Sequence, residues 1–200
     1  MQEIVPDIFT WSWLSERHDY NFNGYLVRTA AGNLCVDPVE PSAPTLDAIA
    51  HLGVAHILLT NRNHVRAANL VRSRTGARTA IHPADAPHAR QQGGQIDDDL
   101  SVGQRVGPFL VVGVPGKSPG EVALYWPERR LLIVGDAIIG NPPGRCSLLP
   151  ETVMDDPPRL RASVRRLLEL DCDALLVGDG TPVLSGARQR LGELIETLSD

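Results

Sequence analysis

Short apolar runs alternate along this chain with segments whose apolar residues recur three and four positions apart. The short runs, rich in Val, Ile, Leu and aromatic residues, predict strands over 4–13, 25–29, 34–37, 57–60, 79–83, 100–106, 109–114, 122–126, 131–134 and 174–177. The helical spacing predicts helices over 44–52, 67–75, 84–92, 157–170 and 185–198. The segments 15–23 and 140–158 are polar or rich in Pro and Gly, and they predict loops.

The order of these elements limits the fold class. Strands come first and then alternate with helices, which predicts sheets covered by helices on their outer faces, in an α/β or α+β fold. The chain has 200 residues, of which 42% are hydrophobic. That size and composition suit a single domain over 1–200 with a well-filled core.

Charge, hydropathy and cysteine content exclude several classes of protein. The formal net charge of −5 argues against a surface for nucleic acid or anionic membranes. No apolar run approaches the roughly 20 residues that cross a bilayer, and the N-terminus lacks the pattern of a secretion signal. Cys35, Cys146 and Cys172 are too few and too scattered for a disulfide framework or a metal site. We interpret them as small buried residues of a protein in the reducing cytoplasm.

The strand predicted over 57–60 runs directly into a cluster of polar side chains, residues 61–66, which we call the polar turn. A helix follows it. Such a junction gathers several side chains at one spot, and the helix N-terminus adds N–H donors and a positive field. The polar turn is therefore the first place to look for chemistry.

The polar turn resembles a motif of the metallo-β-lactamase superfamily. In that family the strand ends in Thr-His-x-His-x-Asp-His, and the His and Asp residues hold two zinc ions. In this chain Asn61 and Asn63 stand at the first two His positions, Val65 at the Asp position and Arg66 at the last His position. His64 falls between ligand positions, where we interpret it as a rim or hydrogen-bonding residue.

Later segments extend the resemblance. Residues 114–124 are similar to the family's Pro-Gly-His-Thr-Pro-Gly-His segment, with Lys117 at the zinc-binding His and Glu121 at the second His. Asp136 matches the Asp that bridges the two metals, and Asp179 stands at the last His ligand. Asp37, at a predicted strand end before Pro, matches an Asp that the family carries near the metal pocket, although it is also an ordinary turn starter.

The resemblance covers nearly the whole chain, from about residue 23 to residue 198. It implies the four-layer αβ/βα sandwich of the metallo-β-lactamase type. It is closest to the hydroxyacylglutathione-hydrolase-like branch, without an added C-terminal substrate-binding domain.

The residues at the ligand positions imply a degenerate zinc site. Asn is a poor zinc ligand, Val is none, and Lys and Arg bring positive charge where the metal would lie. We therefore expect no cofactor, and predict that Arg66 and Lys117 form salt bridges with Asp136 and Asp179, within about 4 Å. Two alternatives stay open. In the first, the pocket has opened and these charges are solvated. In the second, one zinc or other divalent ion binds through Asp136, Asp179 and His64.

Three functional hypotheses follow. The first is a non-catalytic pseudoenzyme that binds a small anion through Arg62, Arg66 and Lys117. The second is an active hydrolase of an ester or thioester that uses one metal or a rearranged site, with Ser118 near Lys117 or His64 near Asp136 as a metal-free route. The third is a purely structural role, in which the N-terminal edge strand pairs with a second copy to form a homodimer. The pocket residues that the resemblance implies are Asn61, Asn63, His64, Arg66, Lys117, Asp136 and Asp179.

Overall fold

A computed structural model describes residues 1–198 and divides the chain into two compact units, Met1–Ser101 and Val102–Asp200. Each unit contains its own sheet and its own apolar core. The prediction of one domain over 1–200 stays a prediction.

The first unit is built on a seven-stranded sheet whose spatial order follows the chain. Its strands are β1 (Gln2–Val5), β2 (Ile8–Ser15), β3 (Tyr20–Val27), β4 (Leu34–Val36), β5 (His56–Leu59), β6 (Arg78–Ile81) and β7 (Asp98–Asp99). The pairs from β1 to β4 are antiparallel, and those from β4 to β7 are parallel. Its helices are α1 (Ala43–Leu52), α2 (Ala68–Thr75) and α3 (Ala86–Gln91).

Local signals set the ends of α1 and α2. The Ser42 hydroxyl accepts the Thr45 N–H at the start of α1, and Gly53 follows its last residue with φ +74°. Gly76, at φ +75°, ends α2 in the left-handed conformation that favours glycine. The apolar sides of these helices and the strands beneath them meet in one core, which includes Ile49 and Val71.

The second unit is built on a five-stranded sheet in the order β12-β11-β10-β9-β8. Its strands are β8 (Arg105–Val106), β9 (Phe109–Gly113), β10 (Val122–Trp126), β11 (Leu131–Val134) and β12 (Ala174–Val177). Among the strands described up to residue 198, β11 and β12 form the one parallel pair of this sheet. Its helices are α4 (Pro157–Leu167) and α5 (Ala187–Thr197), and the Asp156 carboxylate caps α4 by accepting the Arg159 N–H.

The two sheets and five helices confirm the mixed α/β class. The loop predicted over 15–23 is wrong, because β2 and β3 form a hairpin that keeps register out to Ser15 opposite Tyr20. Ser15 and Asn23 are buried, residues 16–19 of the turn are exposed, and Asp19 closes the turn with φ +58°. Pairing with β2, rather than the apolar character of β3, makes the outer half of β3 a strand.

Two other boundaries differ from the predictions. The strand predicted over 100–106 is wrong, because the chain instead forms β7 just before it, then a turn with Gly103 at φ +84°, and only the short β8. The single strand predicted over 4–13 is divided into β1 and β2 by a turn in which Asp7 has φ +64°. Among residues 1–198, no helix is long and apolar enough to cross a membrane.

Candidate functional site

In the first unit, the polar turn lies beside a carboxylate from the neighbouring strand. β4 and β5 are parallel, with Val36 opposite Leu58, so the residues that follow them emerge at one edge of the sheet. Asp37 follows β4, and its N–H donates to the Leu58 carbonyl over 3.1 Å. Its φ of +47° is a left-handed conformation, uncommon for a residue other than glycine, and it turns this carboxylate toward Thr60 and the polar turn.

Asp37 accepts several hydrogen bonds in a buried network. Its Oδ1 accepts the Thr60 N–H over 2.8 Å, and its Oδ2 accepts the Thr60 hydroxyl over 2.6 Å. His64 Nδ1 lies 2.9 Å from the same Oδ2, and both side chains are buried. A carboxylate taken out of water is stabilised by such donors. Since a carboxylate can only accept, Nδ1 carries the proton that is donated to Asp37, and Nε2 lies 3.4 Å from the Asn61 side-chain nitrogen.

The two asparagines have different surroundings. Asn61 is fully buried, and its Oδ1 accepts the N–H of Asn63 over 2.8 Å, which closes a local turn. The Asn61 carbonyl also accepts the His64 N–H over 3.2 Å. Asn63 itself is exposed. Asn61 thus shapes the polar turn, whereas the Asn63 side chain faces solvent.

The remaining residues of the polar turn are anchored within the first unit. Val65 is buried in the core of this unit, where its methyl groups pack against Gly94. The Arg62 N–H donates to the buried Asp85 carboxylate over 2.8 Å. Arg66 has φ +27°, and its guanidinium carbon lies 4.6 Å from the centroid of the Phe22 ring on β3. This distance is typical of a cation–π contact.

In the second unit, Lys117 and Asp136 form a buried ion pair. The distance from Nζ to Oδ2 is 2.8 Å, and the side chains are 4% and 7% exposed. Asp136 follows β11, and its N–H donates to the Glu121 carboxylate over 2.8 Å. Asp179 follows the parallel neighbour β12, and one of its carboxylate oxygens lies within 4.8 Å of one from Asp136. The pairing predicted between Lys117 and Asp136 is therefore present.

The segment that carries Lys117 is fixed against the start of α4. Gly116 has φ +145°, and a Cβ there would collide with the backbone of Leu160. The Gly116 carbonyl accepts the Asp156 N–H over 2.8 Å, and the Lys117 carbonyl accepts the Asp155 N–H over 3.3 Å. Ser118, the candidate nucleophile next to Lys117, is fully buried.

The structure thus divides the predicted pocket residues between the two units. Asn61, Arg62, Asn63, His64 and Arg66 belong to the first unit, and Lys117, Asp136 and Asp179 to the second. The predictions that pair Arg66 with the carboxylates, or His64 with Asp136, stay predictions. Sequence reasoning missed Thr60 as a partner of Asp37; the available signal was that each of them is the last residue of a predicted strand, 57–60 and 34–37.

The thiols are poor nucleophiles at neutral pH. Burial raises the pKa of Cys35 well above its ordinary value, and the nearby Asp37 carboxylate adds to the increase. Loss of hydration also raises the pKa of Cys146, to about 11. Because the thiolate is the reactive form, both residues are protonated and unreactive near pH 7.

Comparisons with known proteins match nearly the whole chain. A model of the family described as the metallo-beta-lactamase superfamily matches residues 2–198. A hydroxyacylglutathione hydrolase from Fuscovulum blasticum is 28% identical over 194 residues, covering 87% of this chain and 74% of that protein. Another, from Cereibacter sphaeroides strain ATCC 17029, is 33% identical over 130 residues, which span 60% of this chain and about half, 49%, of that protein.

A crystal structure described as a di-iron-bound form has a similar fold. Its TM-score with this chain is 0.69 at 30% sequence identity, and the alignment covers 90% of this chain and 98% of the other. The sequence and structure comparisons therefore agree with each other and with the two sheets and five helices described above.

Proposed function

The chain belongs to the metallo-β-lactamase superfamily, and from this we propose that it is a hydrolase-like member that has lost most ligands of a dinuclear zinc site. In this proposal it binds a small anion and does not carry out zinc-dependent hydrolysis. The observation that carries the proposal is the ion pair between Lys117 and Asp136. An ammonium group lies against the one carboxylate that matches the family's metal ligand.

The residues present do not fit a pair of zinc ions. Zinc needs lone pairs that converge at about 2.0–2.3 Å. Val65 has none and lies in the apolar core, whereas the side-chain Oδ1 of Asn61 accepts the Asn63 N–H. Asp136 Oδ2 is already bound by Lys117, and the positive charge of that ammonium would repel a divalent ion at close range. No reaction step through zinc is therefore assigned to this chain.

Anion binding is proposed for the cationic side chains around the polar turn, Arg62 and Arg66, both half-buried. Guanidinium groups suit carboxylate and phosphate because they present several donors in one plane. Lys117 was predicted as a third contact, but its ammonium faces Asp136, so we give it a lesser part in binding. The ligand in this proposal is a small anionic molecule.

One observation favours the alternative of an active hydrolase with a single ion. Carboxylate oxygens of Asp136 and Asp179 lie within 4.8 Å of each other, a separation that one divalent ion can bridge after a small movement. Ester or thioester hydrolysis would be the reaction of this alternative, in line with the name of the curated relatives.

Two further parts of the proposal concern location and assembly. A cytoplasmic location is supported by three cysteines, Cys35, Cys146 and Cys172, that are free thiols rather than disulfides. A homodimer is supported by the position of β1 at the outer end of the strand order of its sheet, because an edge strand can pair with another chain.

The test combines metal content, turnover and anion binding. Protein purified without chelators should contain no stoichiometric metal by elemental analysis, and should hydrolyse hydroxyacylglutathione thioester and β-lactam at background rates. Calorimetric titration with inorganic phosphate should show binding that Arg66→Gln weakens at least about tenfold. Two metal ions per chain, or thioester turnover that Asp136→Asn abolishes, would overturn the proposal. One ion per chain would establish the single-metal alternative.

A further inference from the structure

The second unit holds a cation of its own at a position suited to a metal. Lys117 Nζ lies 2.8 Å from Asp136 Oδ2, and Asp179 brings a second carboxylate within 4.8 Å of Asp136. Glu121, also buried, accepts the Asp136 N–H. Three carboxylates and one ammonium therefore occur together at the ends of β11 and β12 and in the segment before β10.

The backbone fixes this ammonium in place. Gly116 approaches Leu160 so closely that no side chain fits between them, and the carbonyls of Gly116 and Lys117 accept N–H groups from the two residues before α4. On the other side of the pair, Asp136 is held at the end of β11 by its N–H bond to Glu121. The contact therefore depends on two anchored backbone segments, unlike an ion pair between mobile surface side chains.

Burial makes a cation at this position close to obligatory. A carboxylate removed from water is costly unless an opposite charge or several donors compensate it. A divalent ion and an ammonium cannot share the same carboxylate oxygen, because their charges repel each other. Either cation satisfies the carboxylates, but each excludes the other.

We propose that Lys117 is a resident cation that occupies a latent divalent-metal site formed by Asp136 and Asp179. Removing the ammonium while keeping both carboxylates should allow a divalent ion such as Zn²⁺ or Mn²⁺ to bind. The inference rests on the proposed loss of the dinuclear zinc site, and it assigns to Lys117 the exclusion of a single divalent ion from the two carboxylates that remain.

The test uses the full chain and three variants. Lys117→Leu removes the ammonium, Lys117→Arg keeps the positive charge, and the double variant Lys117→Leu/Asp136→Asn also removes the carboxylate charge. Each protein is freed of metal and titrated with Zn²⁺ by calorimetry and with Mn²⁺ by electron paramagnetic resonance. Thermal unfolding is followed with and without each ion.

Lys117→Leu should bind one ion at least about tenfold more tightly than the unaltered protein, and added ion should raise its unfolding midpoint. Lys117→Arg should behave like the unaltered protein, because a cation is still present. The double variant should lose the metal response and regain part of the stability that Lys117→Leu loses.

Two results would overturn the inference: equal affinity of the unaltered protein and Lys117→Leu, or a folded Lys117→Leu that binds neither ion. If Lys117→Leu does not fold alone, recovery of folded protein by added Zn²⁺ or Mn²⁺ supports the inference, and no recovery with either ion rejects it. The proposed function is judged separately, on the metal content and turnover of the unaltered protein, so that the two failures are distinguishable.

Discussion

Thr60→Val should destabilise the first unit measurably, because it removes one donor from the buried Asp37 carboxylate. The Thr60 hydroxyl donates to Asp37 Oδ2 over 2.6 Å, and the side chain is fully buried. Valine has nearly the same shape, so the change isolates the hydrogen bond from packing. Hydrogen bonds to charged groups contribute about 1.5–3 kcal/mol, and the Thr60 N–H and His64 still donate after the change. We therefore expect a loss of about 1.5–2.5 kcal/mol in the free energy of unfolding.

Thr79→Val is the matched control. Thr79 lies on β6, opposite Ile57 of β5, and is equally well buried. Among the described residues its hydroxyl has no hydrogen-bond partner, so its burial already costs free energy. Replacing it by valine should leave stability unchanged or increase it by up to about 1 kcal/mol.

Urea denaturation at pH 7, followed by circular dichroism, measures both variants against the unaltered protein. The coupling is tested by adding Asp37→Asn to Thr60→Val in a double-mutant cycle, where the combined loss should be smaller than the sum of the single losses. Equal losses for Thr60→Val and Thr79→Val, or strict additivity with Asp37→Asn, would refute the reasoning that Thr60 stabilises a buried charge.

Two further predictions concern packing and reactivity. Gly116→Ala should lower the free energy of unfolding, measured by heat or urea, by more than about 3 kcal/mol, because Gly116 has φ +145° and a Cβ there would collide with the Leu160 backbone. Gly192→Ala, on α5 with open space around it, is the control and should be neutral or stabilising. Cys146, whose pKa is raised to about 11, should react slowly with iodoacetamide at pH 7 and faster as pH rises toward 11, measured by mass spectrometry. Fast alkylation of Cys146 at pH 7 would contradict that assignment.

Local patterns were enough for the elements whose signals lie within a few residues. The apolar runs of β5, β11 and β12 and the capping aspartate of α4 are properties of short segments, so the sequence predicts them directly. The outer half of β3 was missed because asparagines interrupt its aromatic residues, and the segment is held as a strand by pairing with β2. The short β7 and β8 were misplaced for the same reason, since strand pairing depends on distant parts of the chain.

The sequence by itself led to the prediction that the site is poor in metal ligands, through the resemblance of short segments to the family's motifs. The chemistry of the side chains also predicted that Lys117 would pair with a buried carboxylate, because a buried charge needs compensation. Only the tertiary structure shows the distance of 2.8 Å between Lys117 and Asp136, one of the two carboxylates predicted to pair with it. It also showed which side chains contact Asp37. The parallel pairing of β4 and β5 places this carboxylate beside Thr60 and His64, residues more than twenty positions away, and sequence spacing carries no information about which strands become neighbours.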